Sequence, residues 1–335
     1  MAQRRIVHAL FHLKASNRKI RRIRYRFVDI GGHDYDIYYY LWIRLSKRKR
    51  REELQRFYTK KDVFILPSES HFRKMNNLVS PIRNRFKTAL HEGRVQIGLW
   101  SSLCSPLVAE VIGGAGFDWI VIDSEHAPNE LPDVVHQLRA LAAESVEPVV
   151  RIPIADPVAI KRYLDAGARS LLVPMVNNAA TASAVVVATR YPPAGIRGVA
   201  TAHRASRFGR VKEYLRNAAE ALCVLVQLET REALRNLEEI ASVEGIDGIF
   251  IGPSDLSADL GHLGDPGHPD VQAAIADAVG RGKKLNKVMG ILTSDSNEAN
   301  HYLGLGFTFV AVGSDLGILA RQAEALAASF QHWKG

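Results

Sequence analysis

From residue 96 to residue 312 the chain repeats one pattern eight times: a short, almost uninterrupted apolar run, then a longer stretch of helical spacing. The runs are Gln96–Trp100, Trp119–Ile122, Pro148–Arg151, Leu171–Pro174, Val224–Leu228, Gly248–Ile251, Val288–Leu292 and Phe309–Val312, and Leu131–Ala143 and Val271–Gly280 are typical of the amphipathic segments between them. A strand that is apolar along its whole length is covered on both faces, as in parallel sheets flanked by helices. Eight such units predict a (β/α)8 TIM barrel, and the 261 residues from Met75 onward match the roughly 250 residues of that architecture. The rival, a doubly wound sheet, calls for a glycine-rich turn after its first strand; Trp100–Ser101–Ser102–Leu103–Cys104 is not one.

The net charge of +9 does not belong to this repeat. Residues 1–74 hold 20 Lys+Arg against 7 Asp+Glu, net +13, whereas residues 75–335 hold 24 against 28, net −4. The basic segment carries Arg18–Lys19–Ile20–Arg21–Arg22–Ile23–Arg24, Lys47–Arg48–Lys49–Arg50–Arg51 and, between them, Tyr38–Tyr39–Tyr40–Leu41–Trp42. Basic runs with interleaved aromatics can bind phosphates and stack bases, but no domain-sized apolar periodicity or nucleic-acid motif accompanies them. Residues 1–74 are read as a basic N-terminal extension outside the catalytic fold, which is assigned to 75–335. Targeting and nucleic-acid or surface binding are the rival readings of the extension. No apolar run approaches the roughly 18 to 20 residues of a membrane span, so no membrane partner is expected. Two cysteines without a C-x-x-C pair write neither a disulfide framework nor a structural zinc site, which predicts a reducing, cytoplasmic setting.

Barrel enzymes take their reacting groups from the C-terminal ends of the strands. There the sequence offers Asp123, Glu125 and His126 after the second run, Arg151 closing the third, Gln227 and Glu229 after the fifth, and Asp255 beyond the sixth. Glu229 and Asp255 come from neighbouring strands, and paired carboxylates suit a hard divalent ion that keeps water and binds substrate oxygens: Mg²⁺ or Mn²⁺, with Co²⁺ a further candidate. The competing reading makes Glu229 the cap of the following helix and Asp255 the cap of the turn at Leu256–Ser257. His126, beside two acids, is an acid/base candidate rather than a satisfied structural imidazole, and Arg151 either pairs with an acid or neutralises an anionic intermediate. No lysine falls at a strand end, which argues against a Schiff base and leaves a Lewis acid to stabilise a carbanion beside the carbonyl of a 2-oxo acid. The longest inter-strand interval, from Pro174 to Cys223, is read as a lid or pocket wall.

Several motifs together resemble the metal-dependent class II pyruvate aldolases of the HpcH/HpaI family, over residues 75 to about 330. They are Ala115–Gly116–Phe117–Asp118–Trp119, Asp123–Ser124–Glu125–His126–Ala127–Pro128, Val149–Val150–Arg151, Arg190–Tyr191–Pro192–Pro193, Val226–Gln227–Leu228–Glu229–Thr230 and Gly252–Pro253–Ser254–Asp255–Leu256. The resemblance implies a carbon–carbon lyase that cleaves a 4-hydroxy-2-oxo acid to pyruvate and an aldehyde. It implies that Glu229 and Asp255 bind the metal, that Arg151 stabilises the pyruvate enolate, and that His126 handles the proton of the scissile hydroxyl with Asp165 in support. The Ser254 amide would hold the pyruvate carboxylate and Gln227 would lie near the metal shell. In the family the acid corresponding to Asp165 reaches a neighbouring subunit's site, which implies a homo-oligomer, a hexamer. Ser124 departs from the pattern, since many relatives have glycine there.

Substrate motifs are mixed. Val95–Gln96–Ile97–Gly98, His203–Arg204–Ala205, Gly261–His262–Leu263–Gly264 and Gly313–Ser314–Asp315–Leu316–Gly317 look like the family's enzymes for 2-dehydro-3-deoxyglucarate. Cys223–Val224–Leu225–Val226–Gln227 and Leu256–Ser257–Ala258–Asp259 look like those for 4-hydroxy-2-oxoheptanedioate. The expectation is the glucarate-like sugar acid first and the heptanedioate as the alternative, with Arg204 or Arg207 reading the distal carboxylate.

Overall fold

The computed structural model describes residues 83–333 and, upstream, the backbone of two strands, β1 (Ile20–Val28) and β2 (Asp34–Trp42). The chain divides into two units, Met1–Ser68 and Glu69–Gly335. In the first, β1 and β2 pair antiparallel from Ile20↔Trp42 to Val28↔Asp34. The sequence analysis assigns no element there; the alternation Ile23–Arg24–Tyr25–Arg26–Phe27 has the two-residue period of a strand. Part of the first basic run and the aromatic patch thus lie on paired strands, whereas Lys47–Arg51 and Met75–Asn77 lie outside the described residues.

In the second unit eight parallel strands close into a barrel, each hydrogen-bonded to the next in sequence and the last to the first. They are β3 (Gln96–Ser101), β4 (Trp119–Asp123), β5 (Glu147–Arg151), β6 (Ser170–Val173), β7 (Cys223–Leu228), β8 (Gly248–Ile251), β9 (Val288–Leu292) and β10 (Phe309–Ser314). All eight expected runs form strands. Pro174 lies just beyond β6, which ends at Val173. None of the helices is long and apolar enough to cross a membrane among the described residues.

The alternation of side chains sorts each strand between two cores. Ile120, Ile122, Val150, Leu171, Val173, Val224, Val226, Ile249, Ile251 and Ile291 pack outward against the helices, which explains why the runs read as apolar throughout. Trp119, Val121, Val149, Leu172, Leu225, Phe250, Phe309 and Ala311 point inward and fill the barrel. The helix Arg85–His91, which the sequence reading did not single out, joins this inner core through Phe86 and Leu90. The Phe86 ring lies 5.4 Å from that of Trp119 and 5.9 Å from that of Phe309. Asn84 caps this helix and donates to the Arg169 and Ala221 carbonyls and the Ser170 hydroxyl, tying it to the start of β6 and thus to the N-terminal end of the barrel. With that end plugged, the opposite end is left for chemistry.

A methyl group added at Gly290 would run into the Phe309 ring inside the barrel. Overpacking of a dense core costs about 1–3 kcal/mol. Gly290→Ala is therefore expected to lower the free energy of unfolding by that amount, seen as a lower urea midpoint at unchanged m-value, and an unshifted midpoint would show that the interior is loosely packed.

Candidate functional site

The pairing of β4 with β5 sets Asp123 directly opposite Arg151, at the last position of each strand. Both side chains take the inward parity of Trp119 and Val149, so they emerge at the open end above the apolar filling. Arg151 grips Asp123 bidentately, Nε to Oδ1 at 2.9 Å and Nη2 to Oδ2 at 2.6 Å. The guanidinium lies 4.9 Å from the centre of the Trp100 ring, whose Nε1 donates to the same Asp123 Oδ2 at 3.2 Å. Burial alone would push the Asp123 carboxyl up; the hydrogen bonds and charge of Arg151 override it and hold the carboxyl below its ordinary range. Asp123 Oδ1 also accepts the amides of Glu125 and His126, folding the chain into a turn that places Glu125 Oε2 2.9 Å from Arg151 Nη1. Burial raises the Glu125 carboxyl, opposed by Arg151 and His126 and reinforced by Asp123 and Asp255. His126 itself is exposed at the rim.

Across the mouth, Gln227 and Glu229 share the inward parity of β7. Glu229 is 1% exposed; its Oε1 accepts the Met175 amide at 2.8 Å and its Oε2 a hydrogen bond from Gln227 Nε2. Met175 follows β6 with φ +54, a conformation that turns its N–H toward Glu229. A Cβ at Gly252 would stand 2.6 Å from Glu229 Oε2 and 2.9 Å from Gln227 Nε2, so only glycine leaves the carboxylate open there. Gly252 leads into the helix Pro253–Asp259, whose first turn presents Ser254 and Asp255, both exposed. Burial, with Glu125 and Asp255 adding negative potential, pushes Glu229 up to about 7 against the Met175 and Gln227 hydrogen bonds.

These residues suit a divalent ion. Glu229 sits beside two further carboxylates that disfavour its charge, the buried Gln227 Oε1 has no hydrogen-bond partner, and the gap at Gly252 leaves room beside Glu229. A cation bound between Glu229 and Asp255 would relieve the excess negative charge, and an ion with only two protein carboxylates keeps positions for water and substrate oxygens. The helix-cap reading fails for Glu229, whose carboxylate goes to Met175 and Gln227; Thr230 is the residue that caps the helix Arg231–Arg235.

The remaining expected residues lie elsewhere. Asp165 is near the C-terminus of the helix Pro157–Ala166, where the fully buried Arg197 holds it at 2.6 Å and His203 Nε2 lies 3.7 Å away. Helices of a barrel run back from the mouth, so Asp165 stands at the far end from the site of its own chain. Arg204 is at that end too: Nη1 donates to the Ala166 carbonyl at 3.0 Å and Nη2 to that of Leu138 at 3.3 Å. It packs over Gly167, which at φ +105 ends the helix in the left-handed conformation and has no Cβ to obstruct the guanidinium. In its own chain Arg204 thus donates to helix-end carbonyls instead of facing the mouth of the same barrel. Arg207 is exposed with φ +49.

The sequence assigns no role to Trp100, Met175 or Gly252, and marks Asp123 and Glu125 as strand-end acids without a specific task. The β4 end signalled both acids. Nothing local marks Met175, because a left-handed φ is not written in a methionine. Asp315 stands at the end of β10 but accepts from the Ser101 hydroxyl and the Ser102 and Leu103 amides, a structural anchor for the loop after β3.

Comparison with known proteins matches residues 96–322 to the family model HpcH/HpaI aldolase/citrate lyase. The chain is 58% identical over 252 residues to the 4-hydroxy-2-oxo-heptane-1,7-dioate aldolase of Klebsiella pneumoniae, covering 75% of this chain and 95% of that one. It is 56% identical over 250 residues to the protein of the same description from Escherichia coli, covering 74% and 95%. Among solved structures, an HpcH/HpaI aldolase/citrate lyase family protein from Burkholderia cenocepacia superposes with a TM-score of 0.72 at 41% identity, covering 75% of this chain and all of that one.

A buried carboxyl raised from 4.5 to about 7 binds its proton more tightly folded than unfolded. Its contribution to stability is full below pH 4.5 and is lost as pH rises through 7, a loss of about 3 kcal/mol. Chelated protein is expected to lose stability across that window, and Glu229→Gln to flatten the decline. Parallel pH profiles for the two proteins would contradict the assignment.

Proposed function

The chain belongs to the HpcH/HpaI aldolase/citrate lyase family and is a carbon–carbon lyase of the aldolase kind, and we propose that its substrate is 4-hydroxy-2-oxo-heptane-1,7-dioate. The observation that carries this reading is the 58% identity to a protein so described, over nearly that protein's whole length. It reverses the order taken from short loop motifs, which put 2-dehydro-3-deoxyglucarate first; a 252-residue match outweighs four-residue likenesses. Cleavage breaks the C3–C4 bond: the C4 hydroxyl loses its proton, C4 leaves as the aldehyde of a four-carbon semialdehyde acid, and the C3 electrons pass to the enolate of pyruvate.

Glu229 and Asp255 are the residues to hold a divalent ion, Mg²⁺ or Mn²⁺, which when bound supplies Lewis-acid polarisation of the 2-oxo group. The chain's own contribution is preorganised charge. Arg151 is fixed by Asp123, Glu125 and the Trp100 face, yet each terminal nitrogen carries a second N–H, enough to meet negative charge developing on the enolate oxygen. His126, exposed at the rim beside Glu125, is positioned to take the C4 hydroxyl proton. The Ser254 amide, in a first helical turn where N–H groups lack intrahelical partners, receives the pyruvate carboxylate. Asp165, remote from its own mouth, serves His126 of a neighbouring copy in a homo-oligomer. Residues 1–74 are placed outside this chemistry, in keeping with a family match that starts at residue 96.

Pyruvate release should stop on chelation and return with Mg²⁺ or Mn²⁺, with kcat/KM higher for the heptanedioate than for the glucarate-derived acid. Full activity in chelator, or a borohydride-trapped adduct, would overturn the mechanism; the reverse substrate order would overturn the substrate. Arg151→Ala is expected to lose about 2–4 kcal/mol of transition-state stabilisation. Pyruvate α-proton exchange should fall with it, and unchanged exchange in a folded variant would reduce Arg151 to a structural ion pair.

A further inference from the structure

Beyond the mouth, among the described residues, one group of three metal-ligating side chains has donor atoms all within 4.8 Å of one another: His262, His268 and Asp270. His262 Nε2 lies 3.3 Å from Asp270 Oδ2, and His268 Nδ1 lies 3.8 Å from the same oxygen. Donors of a tetrahedral zinc ion, each about 2.0–2.2 Å from the metal, stand about 3.3–3.5 Å apart. We propose that these three residues form a second divalent-metal site, of the borderline, nitrogen-preferring class represented by Zn²⁺, which clips the loop between the helices Pro253–Asp259 and Pro269–Lys284.

Two imidazoles and one carboxylate select zinc over the hard ions suited to the all-carboxylate mouth. The site is half open: the side chains are 25%, 33% and 74% exposed, which leaves a fourth position to water. The imidazole rings stack with centroids 3.5 Å apart and 14° between planes. Parallel rings cannot aim their in-plane lone pairs at one point, so binding must splay them, a rotation that their exposure permits. His268 Nδ1 accepts the Asp270 amide at 3.2 Å and is therefore the unprotonated nitrogen, ready as a ligand. That amide lies in the first helical turn, where water can replace the lost acceptor. The positive end of the helix opposes a cation there, and the Asp270 carboxylate offsets it. The clip has a structural consequence: Leu260 and Gly261 alone separate His262 from the helix that bears Ser254 and Asp255, and the His262 amide already bonds the Ser257 carbonyl at 2.7 Å.

The test is Zn²⁺ binding by equilibrium dialysis with metal analysis, on the full chain carrying Glu229→Gln and Asp255→Asn to remove competition from the mouth. Adding His262→Ala should lower the bound metal by one ion per chain, and Asp270→Asn should weaken that ion at least tenfold. Loading with Co²⁺ should give the intense visible absorption of a four-coordinate site, absent in the His262→Ala chain. An unchanged zinc count in a His262→Ala protein with native circular dichroism would overturn the site and leave His262 and Asp270 as an ordinary ion pair.

Discussion

Closure of the eight-stranded sheet leaves no edge, and once it is closed every strand must send alternate side chains into a space of fixed size. That constraint governs the remainder of the molecule. The inner parity is occupied by Trp119, Phe250 and Phe309, with Gly98 and Gly290 where an aromatic ring leaves no room for a methyl group. Phe86 and Leu90 join the filling from the plugging helix. Because the same parity continues to the strand ends, Asp123, Arg151 and Gln227 emerge together at the open end without any further instruction, and Glu229 extends the line one step beyond β7.

The mouth so built is short of positive charge. Arg151 is the cation engaged by Asp123 and Glu125, while Glu229 on the other side has only neutral donors, Met175 and Gln227. In a partly desolvated site like charges cannot all remain ionised, and Glu229 yields, rising to about 7. The two halves consequently suit different work. One fixes a guanidinium between two acids and an indole face; the other holds carboxylates whose charge a bound cation would satisfy. This division explains why strand ends rich in acids need not be a destabilising accident.

The long connection between β6 and β7 follows a separate logic. Its buried Arg197 donates to Asp165 through Nη2, and its Arg204 donates to the carbonyls of Ala166 and Leu138. Helix C-termini carry partial negative charge and unpaired carbonyls, so arginines from a nearby loop are drawn to them. A loop arginine read from sequence as a substrate contact is thereby diverted to the end of the barrel away from the mouth.

What the amino-acid order determined by itself was what consecutive residues can encode. Eight doubly covered strands, their helical spacers, the acids after β4 and β7, and the absence of a lysine at any strand end were all legible, since run length and a two-residue period are local properties. Tertiary structure alone decided the matters that depend on register and on segments far apart. Trp100 meets Arg151 because β3 and β5 flank β4; Met175 donates to Glu229 through a left-handed backbone that its side chain does not announce; Gly252 matters because Glu229 and Gln227 stand beside it. The helix Arg85–His91 became a plug because a closed barrel has an end to fill, and Arg204 turned away because helix carbonyls were nearer than the mouth. The chain specifies its strands one at a time, but which groups face one another is a property of the closed sheet as a whole.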